Sequence, residues 1–174
     1  MAIFVARSTL PVSADRAFAW HERPGAFERL APPWRRVELV ERTGGISDGG
    51  RVVLGLPVGP GRVRWELVHK DFEAGRSFRD EQVRGPFRAW SHKHTVLPDG
   101  ERSRIEEHVT WELPMGGAVT ALGSETTAEM LAQLFAYRLA VMKADLAAHE
   151  RVRARGPLRV AVTGASGLLG GALV

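Results

Sequence analysis

"TTAEMLAQLFAYRLAVMKADLAAHERV", residues 126–152, decides the fold. Leu131, Phe135, Leu139, Met142 and Leu146 recur at helical spacing, and Met130, Leu134, Tyr137 and Val141 form a second, adjoining stripe. Thr126 followed by Glu129 matches a capping box, so the spacing predicts a helix from about 126 to about 152. Its apolar face is wider than a surface helix needs, and such a helix must lie on a large apolar surface.

The preceding chain can supply that surface. "AIFVARSTL" (2–10) reads as a first strand, ended by Pro11. Residues 12–30 then change period. Ser13 can cap a short helix with Asp15 in its first turn, Pro24–Gly25 breaks it, and a second short helix ends at Pro32–Pro33. Six strand-like runs follow at 34–42, 51–58, 62–72, 76–83, 87–97 and 101–113, separated by short turn-forming stretches, which suggests an antiparallel meander. Residues 114–125 read as a glycine-bearing loop, a simple connection opening onto the helix N-terminus. The predicted class is α+β: a curved antiparallel sheet of about seven strands wrapped on a long C-terminal helix, with two short helices between strands one and two. Where the sheet curves more than the helix can fill, a cavity suited to small molecules remains.

Composition narrows the function. The 174 residues carry 24 Lys+Arg and 20 Asp+Glu, scattered along the chain, and Arg outnumbers Lys. No nucleic-acid footprint stands out. The basic run at 151–155 reads as a solvated linker. Without cysteine there is no disulfide framework and no thiolate or metal–sulfur chemistry. No stretch has the length or apolarity of a signal peptide or a membrane span, so a soluble, cytoplasmic protein is expected.

Side-chain alternation locates the candidate site. In "RAWSHKHTV" (88–96), Trp90, His92 and His94 share one strand face. In the next strand Ile105, Glu107, Val109 and Trp111 share a face that should meet the helix, and in "SFRDEQV" (77–83) Phe78, Asp80 and Gln82 do so. Whether the histidines face Glu107 depends on the turn at Pro98–Gly100. A four-residue loop sets His92 opposite Glu107 and His94 opposite Ile105; a three-residue loop turns both histidines outward. Because Trp90 prefers burial, the inward register is favoured. Three readings of the polar row stay open: a structural hydrogen-bond network, a ligand grip, or a metal or acid–base site. No metal is assigned. The ligand-facing set is Trp65, Phe78, Asp80, Gln82, Trp90, His92, His94, Glu107, Trp111, Leu131 and Phe135. Trp20, Trp34, Trp65 and Trp111 suit a core, Met130 and Met142 suit packing, His21 and His149 are expected to be exposed, and His69 could face either way.

This element order resembles the helix-grip superfamily that includes START, Bet v 1-like and polyketide cyclase/dehydrase proteins, over residues 1–150. "GAFERLAPPW" (25–34), "GPFRAWSHKHTV" (85–96), "WELPMG" (111–116) and "VTGASGLLG" (162–170) further resemble a two-domain bacterial family. In it such a domain precedes an NAD(P)-dependent epimerase of the short-chain dehydrogenase type. That resemblance implies a linker at 151–157 and a truncated Rossmann start at 158–174. Leu158–Val162 would be its first strand, and Gly164, Gly167 and Gly170 the turn that approaches a pyrophosphate. As supplied, the chain is expected to need no cofactor, NAD(P) being implied only for the longer protein. The expected function is binding of a small apolar or amphipathic ligand, in service of the attached epimerase- or dehydratase-like enzyme. The rivals are a cyclase or dehydratase using His92, His94 and Glu107, and a ligand-free structural or oligomerisation module. Expected partners are the small apolar ligand and the chain's own Rossmann domain, with a homodimer as an option, and neither nucleic acid nor membrane.

Overall fold

The computed structural model describes residues 1–58, 60–114, 118–156 and 159–172. Strand β1 (Ala2–Leu10) is followed by helices α1 (Ala14–Glu22) and α2 (Ala26–Leu30). Strands β2 (Glu38–Thr43), β3 (Arg51–Val58), β4 (Gly61–Glu73), β5 (Ser77–Arg84), β6 (Ala89–Asp99) and β7 (Arg102–Glu112) come next, and helix α3 (Ala118–Val152) follows. The seven strands form one antiparallel sheet in the order β1-β7-β6-β5-β4-β3-β2. This is the helix-grip architecture expected from the sequence.

The sheet bends because its register breaks. Pairing shifts between Glu66 and Leu67 and again between Lys70 and Glu73, and Asp71 in that second break has φ 52°. A further shift lies between Leu39 and Glu41. Bulges of this kind kink a strand and increase its twist, which curls the sheet around α3. Strict alternation does the rest. On β7, Ser103, Ile105, Glu107, Val109 and Trp111 are buried, while Arg104 and His108 are exposed.

Apart from Val53, the buried apolar side chains fall into three separate clusters. One joins α1 to the C-terminal half of α3 through Phe18, Trp20, Ile105 and Met142. A second joins Val109 and Trp111 to Leu131 and Phe135. A third, Val52, Leu54 and Leu67, lies on β3 and β4 away from the helix. Helix and sheet diverge between these clusters, and the hollow lies there.

Several expectations are corrected. The long helix begins at Ala118, eight residues before Thr126, so most of the expected 114–125 loop is helical; residues 115–117 lie outside the described set. Thr126–Glu129 is thus inside the helix, and the Thr127 hydroxyl donates back to the Gly123 carbonyl at 2.7 Å. A glycine stands there because the helix runs close to the residue that follows β7: a Cβ would stand 2.7 Å from Leu113 Cδ1. His21 is buried, since it follows Ala17 and Phe18 by one helical turn and shares their face. Trp34 is 59% exposed and meets Tyr137 edge-on instead of joining the core. Residues 159–162 carry no strand, and Leu158 lies outside the described residues.

Candidate functional site

Two adjacent cross-strand rows build the site. His69 on β4 pairs with Asp80 on β5, which pairs with His92 on β6. One step along, Phe78 pairs with His94, which pairs with Glu107 on β7. The β6–β7 hairpin closes with Asp99 opposite Arg102, so His94, and not His92, faces Glu107, and His92 faces Val109. The register differs from the expected one by two residues. An even slip preserves the face, so both histidines still point inward.

The contacts are close. His92 Nε2 donates to Glu107 Oε2 at 3.0 Å, and His94 Nε2 to Asp80 Oδ2 at 3.2 Å. His94 Nδ1 stands 2.8 Å from Glu107 Oε2 but has no aligned hydrogen bond. His69 Nε2 lies 2.7 Å from Asp80 Oδ1, and His92 Nδ1 lies 3.5 Å from Asp80 Oδ2. Phe78 stacks on the His94 ring at 4.1 Å, and His92 meets Phe135 of α3 edge-on.

Burial and charge set the protonation. Burial alone would raise the Asp80 and Glu107 pKa values, but the surrounding histidines hold both well below the usual carboxylate range. Burial opposes a charge on His94, yet Glu107 and Asp80 outweigh it and lift His94 to about 9. Burial and the nearby charge of His94 lower His21 to about 4. The His21 Nδ1 contacts the Ala17 carbonyl at 3.2 Å; only a donor can do so, which leaves Nε2 as the bare nitrogen.

Beside this cluster is a cavity of about 1040 Å³ between the concave sheet face, α2 and α3. Of the expected residues, Trp65, Phe78, Asp80, Trp90, His92, His94, Leu131 and Phe135 line it. Three do not. Glu107 lies behind the histidines. Trp111 is buried in the cluster with Val109. The Gln82 amide turns to the Phe87 backbone, donating to its carbonyl at 2.7 Å. Trp65, Phe87 and Trp90 form an aromatic group at one end of the cavity.

His21, His69 and Arg138 also line the cavity. Arg138 donates to the Leu30 carbonyl at 3.2 Å, and its guanidinium lies 5.6 Å from the Phe135 ring centroid. Burial lowers the Arg138 pKa, opposed by Glu107 and Asp80, and guanidinium remains a cation. The signal for Arg138 is in the sequence: it follows Leu131 by seven residues and Leu134 by four, an isolated charge on the apolar stripe.

A family model described as "Polyketide cyclase / dehydrase and lipid transport" matches residues 1–147. The chain belongs to this family. Its fold recurs in solved structures of low identity. The Zhui aromatase/cyclase from Streptomyces has a TM-score of 0.66 at 18% identity, covering 90% of this chain and 99% of that one. Norcoclaurine synthase from Thalictrum has a TM-score of 0.61 at 15% identity, with 86% and 96% covered. A START superfamily protein from Mycobacterium smegmatis has a TM-score of 0.59 at 9% identity, with 83% and 96% covered. No curated protein matches. In this member of the polyketide cyclase/dehydrase family, the described residues include no helix long and apolar enough to cross a membrane.

At the C-terminus, Gly164 has φ 70°, Gly167 N–H donates to its carbonyl at 2.9 Å, and a Cβ on Gly170 would collide with that same carbonyl. The three motif glycines therefore lie in one tight turn, in which Gly164 takes a backbone conformation that favours glycine and Gly170 leaves no room for a Cβ.

Proposed function

We propose that this domain binds one small apolar or amphipathic molecule in the cavity, its polar end toward Asp80, His92, His94 and Arg138. The cavity itself carries the reading: about 1040 Å³ walled by aromatic and aliphatic side chains, with a few convergent polar groups at one place. An anionic apolar dye, 1-anilinonaphthalene-8-sulfonate, tests it. Saturable enhancement at one dye per chain is expected. Leu134, half-buried on the cavity wall, offers the control: Leu134→Trp should narrow the space and weaken binding while the domain stays folded. Equal binding by both proteins would reject the cavity as the site.

We further propose that the domain serves an attached NAD(P)-dependent epimerase-like enzyme. The glycine turn at 164–170 supports this, since such turns bring backbone N–H groups to a pyrophosphate. The test is a chain extended through a complete second domain. It should quench and shift NAD(P)H fluorescence on binding, and Leu134→Trp should change its KM for substrate. Unchanged kinetics would reject the accessory role. One observation favours an acid–base activity instead: His94, lifted to about 9, is a buried acid on the cavity wall. Cyclisation or dehydration of a polyketide-like substrate by the domain alone, lost in His94→Gln, would establish that reading.

A further inference from the structure

We propose that Asp80, His92 and His94 form a binding site for one divalent transition-metal ion of the zinc(II) type, with an open coordination position facing the cavity. A first-row ion holds imidazole nitrogen and carboxylate oxygen at about 2.0–2.2 Å, which places neighbouring ligand atoms about 3.3–3.6 Å apart in a tetrahedral shell. Asp80 Oδ2 lies 3.2 Å from His94 Nε2 and 3.5 Å from His92 Nδ1, and the three residues can each bring one ligand atom within 4.8 Å of the other two. The longer separation is poor for a hydrogen bond and right for the edge of a metal shell.

The tautomer of His92 points the same way. Its Nε2–H is given to Glu107 at 3.0 Å, which leaves Nδ1 as the nitrogen turned toward Asp80 Oδ2. A cation between them would be held by both. Glu107 then acts from behind. It is buried, is not at the cavity wall, and lies against the outer nitrogens of both histidines at 3.0 and 2.8 Å. A carboxylate on the far nitrogen of a ligating histidine fixes the ring and its tautomer, as Glu107 does for His92; at His94 the ion replaces the Nε2 proton given to Asp80. His69 does the corresponding job for Asp80, holding Oδ1 at 2.7 Å and leaving Oδ2 toward the two histidines. Two carboxylates balance the charge of one divalent ion. Three protein ligands that all line a cavity leave further positions for water or a ligand oxygen, the pattern of a reactive rather than a closed structural site.

A second triplet, His21, His94 and Glu107, also lies within 4.8 Å. It would use Glu107, which does not reach the cavity, and would leave the Asp80–His92 contact unexplained. The proposal does not depend on which organic molecule the cavity takes.

The test is titration of chelator-treated protein with zinc(II) by calorimetry and with cobalt(II) by visible absorption. One ion per chain is expected, with cobalt d–d bands typical of a low-coordinate nitrogen/oxygen site. In the wild-type protein, zinc should shift the ring resonances of His92 and His94 in imidazole NMR spectra, a readout that needs no variant to fold. Asp80→Asn should abolish saturable binding, Glu107→Gln should weaken it about 10–100-fold, and His21→Gln should leave it unchanged. Circular dichroism verifies the fold of each variant. Absence of saturable one-to-one binding by the wild-type protein would overturn the proposal. So would binding that survives Asp80→Asn but is lost in His21→Gln.

Discussion

Glu107 is 5% exposed and has no solvent to fall back on. Removing its charge leaves the buried His94 without one of its counter-charges, and breaking a buried charged pair costs about 3–5 kcal/mol. Glu107→Gln should therefore lower the urea midpoint markedly, whereas a change at the exposed Arg7–Glu106 pair should cost about 1 kcal/mol or less. The same residues set a pH profile in metal-free buffer. His94 faces Glu107, Asp80, His21 and His92, and its pKa rises from 6.5 to about 9 on folding. Its stabilisation is complete below pH 6.5 and is lost as pH climbs through about 9. His21 has the opposite sign. Its folded pKa falls to about 4, so the unfolded chain takes up its proton first, and stability drops as pH falls from 6.5 toward 4. The lowered Asp80 and Glu107 add to that acid-side loss. Unfolding free energy should peak near pH 6–7. Its alkaline decline should vanish in His94→Gln, and a flat profile in the wild-type protein would contradict the assignment. Which side chains face inward was legible at this scale because strand alternation dictates it. His21 was missed although its spacing from Phe18 marks it, since a histidine on a short helix is exposed more often than not.

At the level of elements, the hairpin and the long helix carry the site. Gly100 has φ 61°, while Glu101 does not share a positive φ, the pattern of a two-residue turn with glycine first. Gly100→Ala meets no neighbour and should cost about 1 kcal/mol through backbone strain alone, measured by chemical denaturation. Phe135 on α3 is 2% exposed and touches Phe4 and His92. Phe135→Ala should cost about 3–5 kcal/mol, unless added ligand fills the enlarged space. The meander of β2 to β7 and the existence of α3 could be read from periodicity and short turns, whereas the pairing of β1 with β7 could not. The hairpin register could not be, because two even registers place the same residues inside and differ only in turn chemistry. The start of α3 was obscured for a related reason. Gly123 and Ser124 read as loop residues, and only the nearness of Leu113, just after β7, explains a glycine within the helix.

For the molecule as a whole, the sheet's bulges and the division of the apolar side chains into three clusters have one consequence: helix and sheet cannot close on each other. The cavity was expected from element order, since a strongly curved sheet outgrows a single helix. Its polar lining was foreseen only in part. Arg138 and His21 reach it from helices whose faces are set by tertiary packing, a relation no local pattern records. A hollow that binds a molecule in the native state alone stabilises the fold by mass action, so occupancy should raise the unfolding temperature in a concentration-dependent way. The most direct measurement is native mass spectrometry of the purified chain after incubation with a series of medium- and long-chain carboxylic acids and alcohols. The account predicts one-to-one adducts that survive gentle activation and are reduced in Leu134→Trp. Bare protein throughout the series, with no retained organic mass at any concentration, would contradict it.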